Sequence, residues 1–310
     1  VKKLILPLAL FIAVSLSLAA QTVALQNRLL DDLRTLASIE LGGRRTGTEG
    51  AAKARKFLQS RFTEIGLKPA FGNSYEQAFE FKNRRGETLQ GVNLAGIIEG
   101  RNKNLWIVVS AHYDHLGKIG NDIFLGADDN ASGVAALLAL AERFAKEKPQ
   151  HNILFLAPDA EEMGLHGSRY FVNHMPFPIA QLALNINMDM ISRSDKNELY
   201  AVGTYYHPIL KKILSEQTIQ GFSLRFGHDQ PHKGQAGYDW SNASDHAPFH
   251  QKRIPFIYFG VEDHEDYHQP TDTFERIHPE FYKSVIVAIG NSIRLLDENL
   301  ITIHKQKSKR

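Results

Sequence analysis

Apolar positions along the chain follow two periods. Ala51, Ala54, Phe57, Leu58, Phe62 and Ile65 recur at helical spacing, and Gly66 with Pro69 beyond it marks the stop. Leu105 to Ala111 (LWIVVSA) is a near-continuous apolar run of strand length, as are Asn152 to Ala157, Leu182 to Met188 and Ile254 to Phe259. Ser132 to Lys146 and Pro279 to Leu296 read as amphipathic helices. Short apolar runs without alternation suit strands buried on both faces. The pattern therefore predicts an α/β chain with a largely parallel central sheet covered by helices on both sides. No repeat, low-complexity tract or linker divides it, so one domain is expected. The polar, glycine-rich stretch Gly227 to Asn242 is long for a connection and reads as a lid over a site.

Residues 1–20 break the pattern. Lys2 and Lys3 precede an uncharged stretch from Leu4 to Leu18, and Ser17, Ala19 and Ala20 supply a small-residue cleavage context. This reads as a signal peptide, with the alternative of an uncleaved anchor, and implies an exported protein, periplasmic or secreted. The run is short for a membrane span and Pro7 interrupts it, so no stable span is expected after cleavage. The expected organisation is a signal over 1–20, a catalytic domain over 21–304 and a basic tail over 305–310.

Composition narrows the chemistry. The 310 residues include 36 basic and 34 acidic side chains, a formal charge of +2. Without Lys2 and Lys3 the two signs balance at 34 each, and Lys305, Lys307, Lys309 and Arg310 belong to the tail. No nucleic-acid partner is implied. The absence of cysteine excludes disulfides, thiol catalysis and thiolate-bound metal, whereas histidine, at 14, is abundant.

Chemistry-bearing residues follow each predicted strand. LWIVVSA leads into His112-Tyr113-Asp114, and the segment before the second helix holds Gly126-Ala127-Asp128-Asp129-Asn130. NILFLA leads to Asp159-Ala160-Glu161-Glu162, LNINM to Asp189, and IPFIYFG towards Tyr267-His268-Gln269-Pro270-Thr271-Asp272. Ligands bind beyond the carboxyl ends of strands in open α/β sheets, so these groups could converge. Two histidines and three carboxylates suit Zn²⁺ or a similar divalent ion. Five ligands exceed one open tetrahedral site and suit two ions about 3.5–4 Å apart that share a carboxylate and a water. A neighbouring carboxylate, Glu161 beside Glu162, would then be free as a general base.

At these residues the sequence resembles the M28 zinc exopeptidases, the co-catalytic dizinc aminopeptidase family. The resemblance runs from LGGRRTGTEG (Leu41 to Gly50) to QPTDTFERI (Gln269 to Ile277) through AHYDH, GADDNASG, DAEEMGLHGS, NMDM, SDHAPF and YHQPTDTF. It implies a mostly parallel, mixed central β-sheet sandwiched between helices, and two Zn²⁺ per chain. It makes His112 and Asp189 ligands of one ion, Glu162 and His268 ligands of the other, and Asp129 the bridge. Glu161 becomes the general base, Tyr267 a candidate oxyanion donor, and Asp114 the carboxylate that orients His112. It also places a cis peptide at Asp129–Asn130. Asp128 is expected to be structural, and Asp245 and His246 to shape the pocket. His115, His166, His228, His232 and His264 are expected at the surface or behind the ligands. Arg44 and Arg45 are expected to structure their segment. Trp240, Tyr238 and Phe249 are candidates for an apolar pocket.

The implied activity is removal of N-terminal amino acids from peptides with a free N-terminus, by a metal-bridged hydroxide with Glu161 as base. Three alternatives share parts of this pattern. They are a glutaminyl cyclase-like mono-zinc aminoacyltransferase, a dizinc carboxypeptidase or deacylase, and a non-enzymatic receptor-like relative.

Overall fold

The computed structural model describes residues 27–230 and 238–307. The signal read in residues 1–20, His232 in the middle of the lid segment, and the last three residues of the basic tail lie outside the described residues.

A helix over 27–36 (α1) leads to α2 (Glu49–Ile65). The Thr48 hydroxyl caps α2 by accepting from the Ala51 N–H, and Gly66 closes it at φ 83°, donating to Phe62 and Thr63 carbonyls. The strands are β1 (Lys68–Pro69), β2 (Glu76–Lys82), β3 (Thr88–Ile98), β4 (Asn102–Ser110), β5 (Gly117–Ile119), β6 (Asp122–Phe124), β7 (His151–Ala157), β8 (Leu182–Met188), β9 (Glu198–Val202), β10 (Ser223–Phe226) and β11 (Phe256–Gly260). The remaining helices are α3 (Gly133–Glu147), α4 (His166–Asn173), α5 (Pro208–Leu214), α6 (Ala247–Gln251), α7 (Pro279–Glu298) and α8 (Leu300–Lys307).

One sheet runs in the order β1-β3-β7-β4-β8-β11-β9-β10, with β2 also paired to β3. Its centre, β7-β4-β8-β11, is parallel. Antiparallel pairs at β3–β7 and β11–β9 make the whole sheet mixed. The apolar runs fill both faces. In β7, Ile153, Phe155 and Ala157 enter the larger core beside α1, α2, α3 and α7, whereas Leu154 and Leu156 pack on the opposite side near Phe171 of α4 and Phe249 of α6. That two-sided burial explains why these strands show no polar alternation.

The predicted central elements are present, with ends that coincide or shift by up to three residues. The outer strands were not legible from apolar runs. β2, EQAFEFK, alternates exposed and covered positions as an edge strand does. At the C-terminal end α8 continues to Lys307, past the start of the expected basic tail, and the Lys307 ammonium donates to the Leu182 carbonyl at 2.8 Å. Among the described residues no helix is long and apolar enough to cross a membrane.

Candidate metal centre

The carboxyl ends of the four parallel strands deliver the site. His112 and Asp114 follow β4, Asp159 to Glu162 follow β7, Asp189 follows β8, and the segment after β11 carries Tyr267 and His268. Asp129 comes from the turn that opens α3. The backbone of that turn is held by Asp272, whose carboxylate accepts the Asp128 N–H at 2.9 Å and the Asp129 N–H at 3.1 Å. The Asp129–Asn130 peptide is cis. Gly133 is required here, since a Cβ would lie 2.3 Å from Asn130 Oδ1 and 2.6 Å from the Met188 carbonyl.

Two donor sets converge on Asp129. His112 Nε2 is 3.5 Å from Asp129 Oδ1 and 3.3 Å from Asp189 Oδ1. His268 Nε2 is 3.1 Å from Asp129 Oδ2 and 3.4 Å from Glu162 Oε2. Tetrahedral zinc, with bonds of about 2.0–2.1 Å, separates neighbouring ligand atoms by about 3.3 Å. All four distances fall near that edge length. His112 Nε2 and Asp189 Oδ1 are moreover buried without a hydrogen-bond partner, a condition that an ion between them relieves. The residues therefore fit the metal.

The supporting contacts account for the orphaned atoms. The Ser244 hydroxyl donates to Asp189 Oδ2 at 2.6 Å, leaving Oδ1 directed at His112. Behind Ser244 runs a buried chain through Asn187 and Ser110 to Asn185. His112 Nδ1 lies 3.1 Å from the Asp114 carbonyl oxygen and 3.7 Å from its carboxylate. The Asp114 carboxylate instead accepts the backbone N–H groups of Glu161 and Glu162, at 3.0 and 3.3 Å, and so fixes the turn that aims both side chains inward.

His115, expected at the surface or behind the ligands, is found behind Glu162. It is fully buried, and its Nδ1 lies 2.7 Å from Glu162 Oε1, a hydrogen-bond distance well below a ligand–ligand edge. Glu162 thus faces His115 with one oxygen and His268 with the other. Room for the His115 ring comes from Gly126, where a Cβ would fall 2.5 Å from the imidazole. The arrangement also sets the carboxyl acidities. Burial would raise Glu162, but the hydrogen bonds from His115 and His268 outweigh it and hold the group below the usual range. Glu161 moves the opposite way. Burial pushes its carboxyl well above the ordinary value, and the negative Asp245, Asp189 and Glu162 nearby add to the shift against the opposing influence of His112.

Other predicted residues settle as follows. Asp128 is buried and structural, accepting from the Ser192 backbone and hydroxyl at 2.7 Å, with His264 Nε2 at 3.0 Å from its second oxygen. Arg44 is wholly buried and donates to the carbonyls of Leu36, Tyr113, Leu125 and Gly126. Tyr267 stacks on His268 with ring centroids 3.9 Å apart, and burial followed by the neighbouring carboxylates keeps its phenol protonated. His246 stacks against Phe256 and Tyr258, with Nε2 2.8 Å from the Trp240 carbonyl. Trp240 and Asn242, from the lid segment, line an open cleft of about 280 Å³ over the centre, together with Met190, Tyr258, Val261 and Glu161. Phe249 does not line it; its ring belongs to the core beside Phe171.

A mixed α/β sheet that presents paired histidine–carboxylate donors at its carboxyl edge has the donor chemistry of a zinc-dependent enzyme. The chain belongs to peptidase family M28, whose sequence profile it matches over residues 93–292. It is 32% identical over 231 residues to aminopeptidase YwaD of Bacillus subtilis (strain 168), covering 70% of this chain and 47% of that protein. It is 29% identical over 229 residues to leupeptin-inactivating enzyme 1 of Streptomyces exfoliatus, covering 73% and 46%. The chain thus spans about half the length of these curated relatives. Among solved structures it resembles a leucine aminopeptidase precursor from Bacteroides thetaiotaomicron, with a TM-score of 0.69 at 19% identity over 87% of this chain and 96% of that one. A glutaminyl cyclase from Porphyromonas gingivalis gives 0.69 at 20% identity over 88% and 98%. These structural likenesses establish the shared fold.

Proposed function

We propose that this M28 peptidase is an aminopeptidase that works with two zinc ions, removing N-terminal residues from peptides. The observation that carries the reading is the division of Asp129, with Oδ1 facing the His112–Asp189 pair and Oδ2 the His268–Glu162 pair. His112 and Asp189 would hold one ion, His268 and Glu162 the other, and Asp129 both. When bound, such a pair acidifies a shared water and polarises the scissile carbonyl.

The remaining work falls to the protein. Glu161, raised in pKa by burial and its acidic neighbours, accepts the proton of the attacking water and passes it to the leaving amine. The carbon–nitrogen bond breaks as that proton arrives. The protonated Tyr267 phenol donates to the developing oxyanion. Met190, Trp240, Tyr258 and Val261 form the apolar side of the cleft and receive the first side chain, while the surrounding carboxylates favour a free α-ammonium. The signal read in residues 1–20 would deliver this activity to the periplasm or medium.

The test is a panel of aminoacyl p-nitroanilides, free and N-acetylated, run with zinc counted by elemental analysis. Turnover confined to free amines, two zinc ions per chain and loss with chelator are expected. Equal cleavage of acetylated substrates would point to a deacylase. A single zinc with pyroglutamate formed from an N-terminal Gln peptide would replace the reading with a cyclase.

A further inference from the structure

A second cleft, of about 440 Å³, adjoins the first. The two share Arg84 and Glu162, so the second continues the first beyond the Glu162 side of the centre. None of the apolar residues named above lines it. Beside the shared Glu162 it is lined by Arg45, Thr46, Asn83, Arg84, Arg85, Glu87, Leu89 and Met163.

The turn between β2 and β3 sets this basic character. Asn83 Oδ1 accepts the N–H groups of Arg85 and Glu87, at 2.9 and 3.1 Å, and the Gly86 N–H returns to the Asn83 carbonyl. The loop is thereby tied at its base, with Arg84 and Arg85 exposed at its tip. Among the described residues neither guanidinium meets a carboxylate. Glu87, the obvious candidate, accepts instead from the Asn83 amide at 2.7 Å. Arg45 gives a single N–H to the Leu116 carbonyl. Glu162, the other acid in the wall, is engaged by His115 and His268. Three guanidiniums without acidic partners therefore border a groove that begins at the reacting centre.

We infer that this cleft binds a carboxylate on the leaving part of a peptide substrate, with Arg84 and Arg85 as its principal donors. The inference rests on the peptidase reading above. A substrate whose first side chain occupies the apolar side must lead its remainder past Glu162 and Arg84. The carboxylate has two possible sources, the free C-terminus of a short peptide or an Asp or Glu side chain following the cleaved bond. Planar guanidinium forks suit either, and their field concentrates anionic substrate at the cleft.

The experiment compares kcat/KM for four peptides on the zinc-loaded wild type and on R84Q/R85Q. These are Leu-Gly-Gly against its C-terminal amide, and Leu-Glu-Gly-amide against Leu-Gln-Gly-amide. Wild type should prefer the carboxylate-bearing member of at least one pair about five- to tenfold, chiefly through KM and less so in high salt. Preference in the first pair identifies a C-terminal carboxylate, and in the second an acidic side chain. R84Q/R85Q should bring the ratio close to one, and R85E should push it lower still. Equal wild-type rates within both pairs, or a preference that survives R84Q/R85Q, would overturn the inference while leaving the peptidase reading intact. If wild type hydrolyses none of the four and no aminoacyl p-nitroanilide, the peptidase reading fails and this inference falls with it.

Discussion

Replacing Arg44 by alanine tests whether the metal centre depends on its buried frame. The guanidinium has no solvent exposure and donates at 2.6–2.9 Å to four carbonyls: Leu36 at the end of α1, Tyr113 between His112 and Asp114, and Leu125 and Gly126 before Asp129. It therefore couples the two segments that supply His112 and Asp129. Burial lowers its pKa to about 10, so it remains cationic at neutral pH, helped by Asp129, Asp272, Asp114 and Glu162 nearby. Each carbonyl deprived of its donor costs about 1–3 kcal/mol, and four would reach roughly 4–12 kcal/mol. Relief from holding a buried cation, and water entering the vacated space, offset part of this. We expect a net loss of about 3–5 kcal/mol. Urea unfolding of the zinc-free protein should show it as a lowered midpoint at unchanged slope, and the folded variant should retain less zinc. Arg44→Lys keeps the charge but has only three N–H donors on one point, so it should recover less than half of the loss. An Arg44→Ala protein within about 1 kcal/mol of wild type and with full zinc content would refute the frame argument.

Three further outcomes follow from the same geometry. Glu161→Gln should retain its zinc but lose about 10²–10⁴ in kcat, and near-normal turnover in a zinc-replete preparation would reject the base assignment. His115→Ala removes the 2.7 Å contact on Glu162 and should weaken zinc binding at the proposed Glu162–His268 site about ten- to a hundredfold in a chelator competition; unchanged zinc affinity would contradict the orienting role. His246, held neutral by burial at a pKa of about 4 against 6.5 for an ordinary histidine, binds fewer protons folded than unfolded between those values. Its contribution is therefore complete above pH 6.5 and is lost as pH falls towards 4, by up to about 3 kcal/mol. Denaturant melts of wild type and His246→Asn across this window should differ in pH slope, and parallel curves would remove His246 as the cause.

The central strands and the ligand segments were legible because each rests on local pattern. A strand buried on both faces needs an unbroken apolar run, and a metal centre in a chain without cysteine must draw on His, Asp and Glu. What escaped depends on contacts distant in sequence. Arg44 and Arg45 are neighbours of one kind in LGGRRTG, yet one is fully buried on backbone carbonyls and the other borders the basic cleft. His115 follows Asp114 at a position that reads as surface or as lying behind the ligands, without deciding between them. It is buried because Gly126, eleven residues on, has no side chain to occupy the same space. Phe249 closes the SDHAPF motif, but α6 turns it into the core.

Asp272 makes the same point from the other direction. Its residue type and its place in the QPTDTF segment were visible, but its partners are the N–H groups of Asp128 and Asp129, 144 and 143 positions away. The groups that would touch metal must have particular chemistry, so they stand out as letters. The groups that aim them need only a donor or acceptor in the right place, which the fold alone determines. A variant that leaves every proposed ligand intact, such as Asp272→Ala, should therefore still impair the centre. The two N–H groups it strands are buried beside Asp129; Asp272→Asn keeps one acceptor oxygen but turns its amide NH2 at the other N–H, so it should recover only part of the zinc content that Asp272→Ala loses. Full zinc content in Asp272→Ala would show that the turn holds Asp129 without help from Asp272.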